Sequence, residues 1–71
     1  MKMDQDQIDT IEALEARGFV IILKWDGERV KHTRTVVITL PNTDYVFHKD
    51  TNDLTETLVE ALDWANKIAF R

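Results

Sequence analysis

Gly18-Phe19-Val20-Ile21-Ile22-Leu23-Lys24-Trp25-Asp26-Gly27 is the stretch that decides the fold. Its β-branched and aromatic centre predicts a strand over 19–25. Gly18 stands where a preceding helix would need a left-handed residue to stop. Asp26-Gly27 is a hairpin signal, so the chain should turn back into a second, antiparallel strand.

Working toward the N-terminus, residues 4–17 predict a helix. Asp4 and Gln7 have the spacing of a capping box. Asp6 and Asp9 lie near the positive end of the helix dipole, and Ile8, Ile11 and Leu14 make a narrow apolar stripe. Met1-Lys2-Met3-Asp4-Gln5-Asp6 carries no apolar stretch of the kind a secretory signal needs.

Working toward the C-terminus, the second strand is expected from about Arg29 to Leu40. Pro41-Asn42-Thr43-Asp44 should turn the chain, and Tyr45–Lys49 should form a short third strand. Both connections are too short for a crossover, which implies an antiparallel meander with the second strand central. Residues 53–70 predict a second helix. Asp53 and Glu56 open it, and Leu54, Leu58, Ala61, Leu62, Ala65, Ile68 and Ala69 line one face. Trp64 flanks that stripe, with Val59 and Phe70 off its other side. The expected fold class is α+β: a two-layer α-β-β-β-α domain over residues 1–71, with a three-stranded antiparallel meander and both helices on one face.

Alternation then divides the sheet. Phe19, Ile21, Leu23 and Trp25 should face the helices. If residues 41–44 are the whole turn, Val36, Ile38, Leu40, Tyr45 and Phe47 join them. The other face holds Val20, Ile22, Lys24, Lys31, Thr33, Thr35, Val37, Thr39, Val46 and His48. Val20, Ile22, Val37 and Val46 thus form an apolar patch, with Thr35 and Thr39 around it. The first strand lies at a sheet edge and is apolar on both faces, a combination that invites another chain to pair with it.

With 71 residues and no cysteine, the chain can use neither disulfides nor thiolate–metal sites to reinforce a small core. Self-association is therefore expected, and a homodimer or a docked protein partner is the leading reading. The absence of cysteine suits a cytoplasmic protein. The longest apolar run, Phe19–Leu23, is too short to span a bilayer.

Catalysis has few candidates. There is no serine or cysteine, and the threonines sit in no recognisable motif. His32 and His48 should lie far apart on opposite faces, so no metal site is expected. The two glycines are explained by a cap and a turn, and no cofactor is expected. The chain thus reads as non-enzymatic.

The formal net charge is −4, with both ends acidic and residues 19–40 carrying a net +2. The candidate nucleic-acid contacts are Arg29, Lys31 and Arg34 in the hairpin, beside Lys24 and His32. The acidic total disfavours that role, and basic side chains also shield strands from aggregation.

The element order resembles that of the double-stranded-RNA-binding domain. That family grips phosphate with lysines at the start of its second helix. Here Asp50-Thr51-Asn52-Asp53-Leu54-Thr55-Glu56 would repel it. A strand ending in Leu40-Pro41, then Asp50-Thr51, then Glu60-Ala61-Leu62 is similar to small HicB-like antitoxins. Lys49 replaces the usual glycine, and the spacing to Glu60 is longer. This resemblance implies an antitoxin-type regulatory binding role, as the alternative to a protein-interaction module, and assigns no residue.

Overall fold

Each helix begins at the aspartate that the sequence marks for it. In the computed structural model, which describes residues 3–28, 30, 31 and 33–70, helix α1 spans Gln5–Ala16. The Asp4 carboxylate accepts the Gln7 N–H at 2.8 Å, and Gln7 Oε1 accepts the Asp4 N–H at 3.2 Å, completing the capping box. At the other end Gly18 has φ +92°. The Gly18 N–H donates to Glu15 O at 2.9 Å and the Phe19 N–H to Leu14 O at 3.1 Å, a Schellman ending. Helix α2 spans Leu54–Ala69, and Asp53 Oδ1 accepts the Glu56 N–H at 3.0 Å.

Between the helices run β1 (Val20–Trp25), β2 (Arg34–Thr39) and β3 (Val46–Thr51), all antiparallel, in the order β1-β2-β3. The expected α-β-β-β-α order and the central second strand are both present. Ile38 opposes Phe47 and Val37 opposes His48, the register set by a turn of residues 41–44. That turn closes with Thr43 N–H on Leu40 O at 3.2 Å, and Asn42 takes φ 68° behind Pro41. Leu40 N–H then meets Tyr45 O at 3.1 Å.

Two boundaries differ from expectation. β2 starts at Arg34, not near Arg29, so the connection from β1 is longer than expected. The β1–β2 pairing ends with Asp26 N–H on Thr33 O at 2.6 Å, and Gly27, Glu28, Val30 and Lys31 lie outside both strands. Asp26 Oδ1 caps the Glu28 N–H at 3.0 Å, so its carboxylate serves a local turn. β3 runs on to Thr51, past the expected Lys49. Its last residues pair with Thr35 and Arg34, and Thr51 Oγ1 accepts the Asp53 N–H at 2.9 Å.

The core lies between one sheet face and the helices. Leu14, Phe19, Val36, Ile38, Leu54, Leu58, Ala61, Leu62 and Ala65 are buried together. Thr57, which the apolar pattern does not mark, is buried with α2's stripe. Phe47 stacks at a tilt on Trp64, ring centres 5.7 Å apart. Trp25 and Tyr45 sit on the helix side by alternation but are exposed, because the helices do not reach over them. Arg17 joins the two helices: its guanidinium donates to Ala69 O at 2.9 Å and lies 4.1 Å from the centre of the Phe70 ring. No helix among the described residues is long and apolar enough to cross a membrane.

Candidate interaction surface

The sheet face turned away from the helices is built as three rows of side chains across the strands. The first is Val20–Thr39–Val46, the second Ile22–Val37–His48 and the third Lys24–Thr35–Asp50. In the first two rows the outer strands carry exposed apolar groups: Val20 is 45%, Ile22 50% and Val46 58% exposed. Val37 and Thr39, on the central strand, are half-buried by these neighbours. Five of the six residues assigned from sequence to this patch are therefore accessible in whole or part.

Thr35 is the correction. It faces the same side but is buried, only 5% exposed, between Lys24 and Asp50. Its hydroxyl donates to Asp50 Oδ1 at 2.6 Å, a short bond to a carboxylate. Thr35 thus tethers β3 to β2 at one end of the face, and it offers no contact surface. The His48 Nε2 atom is 3.9 Å from the same Oδ1. Hydroxyl, carboxylate and imidazole are present, but the hydroxyl is bonded to the carboxylate and not to the imidazole. A nucleophile needs the imidazole on its own oxygen, so this order does not build a triad.

The basic residues of the hairpin do not form one surface. Lys24 lies on the open face, whereas Arg34 lies on the helix side, half-buried, with its guanidinium donating to Asn52 O at 3.1 Å. Lys31 is exposed and Thr33 half-buried, and both lie before β2 begins at Arg34, so neither extends its open face as expected. Arg29 and His32 lie outside the described residues. Among the described residues, no group of three His, Asp or Glu side chains could hold a metal ion.

The two edges of the sheet differ. The Asp26–Thr33 bond and the register place the backbone groups of Val20, Ile22 and Lys24 toward β2. Those of Ile21, Leu23 and Trp25 therefore point out along the free edge of β1. On β3 the free edge belongs to Val46, His48 and Asp50. β1 presents one charged side chain in six residues; β3 presents His48, Lys49 and Asp50 in succession. Lys49 is further held by Glu60 at 3.3 Å. Charges on an edge are what blocks pairing with another strand, and only β3 has them along its middle.

Sequence reasoning missed three exposed apolar residues, one of them Tyr45 on the helix side. Trp25 is 58% exposed on the helix side of β1, and Val30, between β1 and β2, is 95% exposed. The apolar period places Trp25 on its face, but coverage of that face depends on where α1 lies. Beside β1, Ile11, Glu15, Phe19, Val20 and Ile21 line a cleft of about 330 Å³ between α1 and the strand. No family model, curated protein or solved structure matches this chain.

Proposed function

We propose that this chain is a small, non-enzymatic protein-interaction module that associates with itself through its sheet. One observation supports the reading above the others. The sheet has helices on a single face, and its bare face and its β1 edge share exposed Val20 and Ile22. Fully burying an aliphatic side chain of this kind contributes about 1.5–3 kcal/mol, so a few such residues meeting a second surface amount to a useful affinity. A core with nine buried apolar residues among those described has correspondingly much to gain from a neighbour.

Light scattering over a concentration series tests this. A dimer that persists at low micromolar concentration is the expected result, and Ile22→Glu should abolish it while circular dichroism stays unchanged. A monomer throughout would overturn the reading. A cytoplasmic setting, suited to a chain without cysteine, belongs to the same proposal. A nucleic-acid-binding or antitoxin-like role through Arg29, Lys31 and Arg34 is the weaker proposal, since Arg34 is engaged with Asn52 on the helix side.

A further inference from the structure

We infer that the partner is a second copy of this chain, joined β1 to β1 about a two-fold axis at Ile22, with each Trp25 seated in the other copy's α1–β1 cleft. The inference rests on the self-association proposed above and gives it a geometry. It starts from the backbone. Ile21, Leu23 and Trp25 direct their N–H and C=O groups outward from β1, and among the described residues no strand meets them. In a two-fold antiparallel pair, residues i and j lie opposite when their numbers sum to a constant. With the axis at Ile22, Ile21 faces the other copy's Leu23, and the two exchange both backbone bonds. The Trp25 N–H faces the other copy's Phe19 carbonyl. The Phe19 N–H is already given to Leu14 O, so the ladder ends there without leaving it open.

The side chains single out this register. Ile22 meets Ile22 on the open face, and Val20 meets the aliphatic stem of Lys24. On the helix side Trp25 comes opposite Phe19, which lines the cleft together with Ile11, Glu15, Val20 and Ile21. The exposed indole that α1 fails to cover in its own chain is thus carried to the apolar cleft that β1 and α1 leave open in the other. The Glu15 carboxylate on the cleft wall is an acceptor suited to the indole N–H. Moving the axis by one pleat either way separates Trp25 from Phe19 and loses this match. The product is one continuous six-stranded sheet ending in two charged β3 edges, which stops further growth.

The chain has no cysteine, so a single introduced thiol reads the axis directly. Ile22 would lie in a non-hydrogen-bonded pair with its own copy, Cα atoms about 4.5 Å apart, within disulfide range. Ile22→Cys should give a disulfide-linked dimer under mild oxidation. Val46→Cys, about as exposed but on the other edge, should not. Trp25→Ala removes an exposed side chain, keeps the monomer folded and should weaken dimerisation about tenfold or more. A dimer in solution whose Ile22→Cys form links no faster than Val46→Cys would overturn the β1 geometry and leave self-association standing. A wild-type chain that is monomeric throughout overturns both. Unchanged dimerisation in Trp25→Ala removes the indole from the interface and overturns the register.

Discussion

The α2–β3 flank and the α1–β1 flank are built from elements of the same kinds but are finished differently. α2 buries Leu54, Thr57, Leu58, Ala61, Leu62 and Ala65 against the sheet, whereas α1 buries Leu14 alone. β3 carries His48, Lys49 and Asp50 along its edge, and Lys49 is tied down to Glu60. β1 carries Ile21, Ile22 and Leu23, with a cleft beneath α1 and an uncovered Trp25. One flank holds the fold and closes it to solvent; the other is left apolar and thinly covered. The lesson is that an edge must be judged by the layer behind it as well as by its own residues.

The sharpest way to break this contrast is a pair of truncations followed by urea denaturation at fixed protein concentration. Leu58→Ala removes a fully buried side chain from α2 and should cost about 3 kcal/mol or more. Ile11→Ala, from the half-buried stripe of α1, should cost about 1 kcal/mol. Equal losses would erase the distinction between the flanks. A smaller effect is expected at the joint of the α1–β1 flank. A Cβ built on Gly18 meets nothing closer than Leu40 Cδ1 at 4.0 Å, so Gly18→Ala should cost only its left-handed backbone, about 1–2 kcal/mol. A neutral result in the same assay would show that the Schellman ending is not what fixes the entry to β1. The smallest effect belongs to the charged edge. Lys49 and Glu60 are each about half exposed, and Lys49→Ala should shift stability by less than about 0.5 kcal/mol. The consequence to look for is association: an aggregating Lys49→Ala would mean the lysine guards the edge, while a soluble one assigns that task to His48 and Asp50.

Much of the architecture was legible because its signals are local. Asp4 with Gln7, Gly18, Pro41 with Asn42, and Asp53 each fix their own turn or cap within a few residues. The period of α2 points a long stripe at the sheet. From the four-residue turn alone, the pairing of Val37 with His48 follows. What was not legible depends on distances the chain does not state. Asp26-Gly27 carries a hairpin signature, yet the Asp26 carboxylate caps Glu28 N–H and β2 begins only at Arg34. Alternation assigns Thr35 to the open face, but not that it is buried there with its hydroxyl on Asp50. It assigns Trp25 to the helix face, but not that α1 stops short. The patch of Val20, Ile22, Val37 and Val46 was found because two rows share one register; the cleft needs the third dimension.

The clasp made by Arg17 bears on how the chain is born. Strand pairs here join neighbours in sequence, so the meander can form as soon as its residues leave the ribosome, in microseconds to milliseconds. Its inner face then waits for a cover that is synthesised last. α1 emerges first but has little to hold it, and Arg17 finds the Ala69 carbonyl and the Phe70 ring only when the final turn of α2 is out. At about 5–20 residues per second, the interval between the last residue of β3 and that turn is on the order of a second or more. Until then the nascent sheet shows apolar groups on both faces, and the clasp is among the last contacts this chain can make.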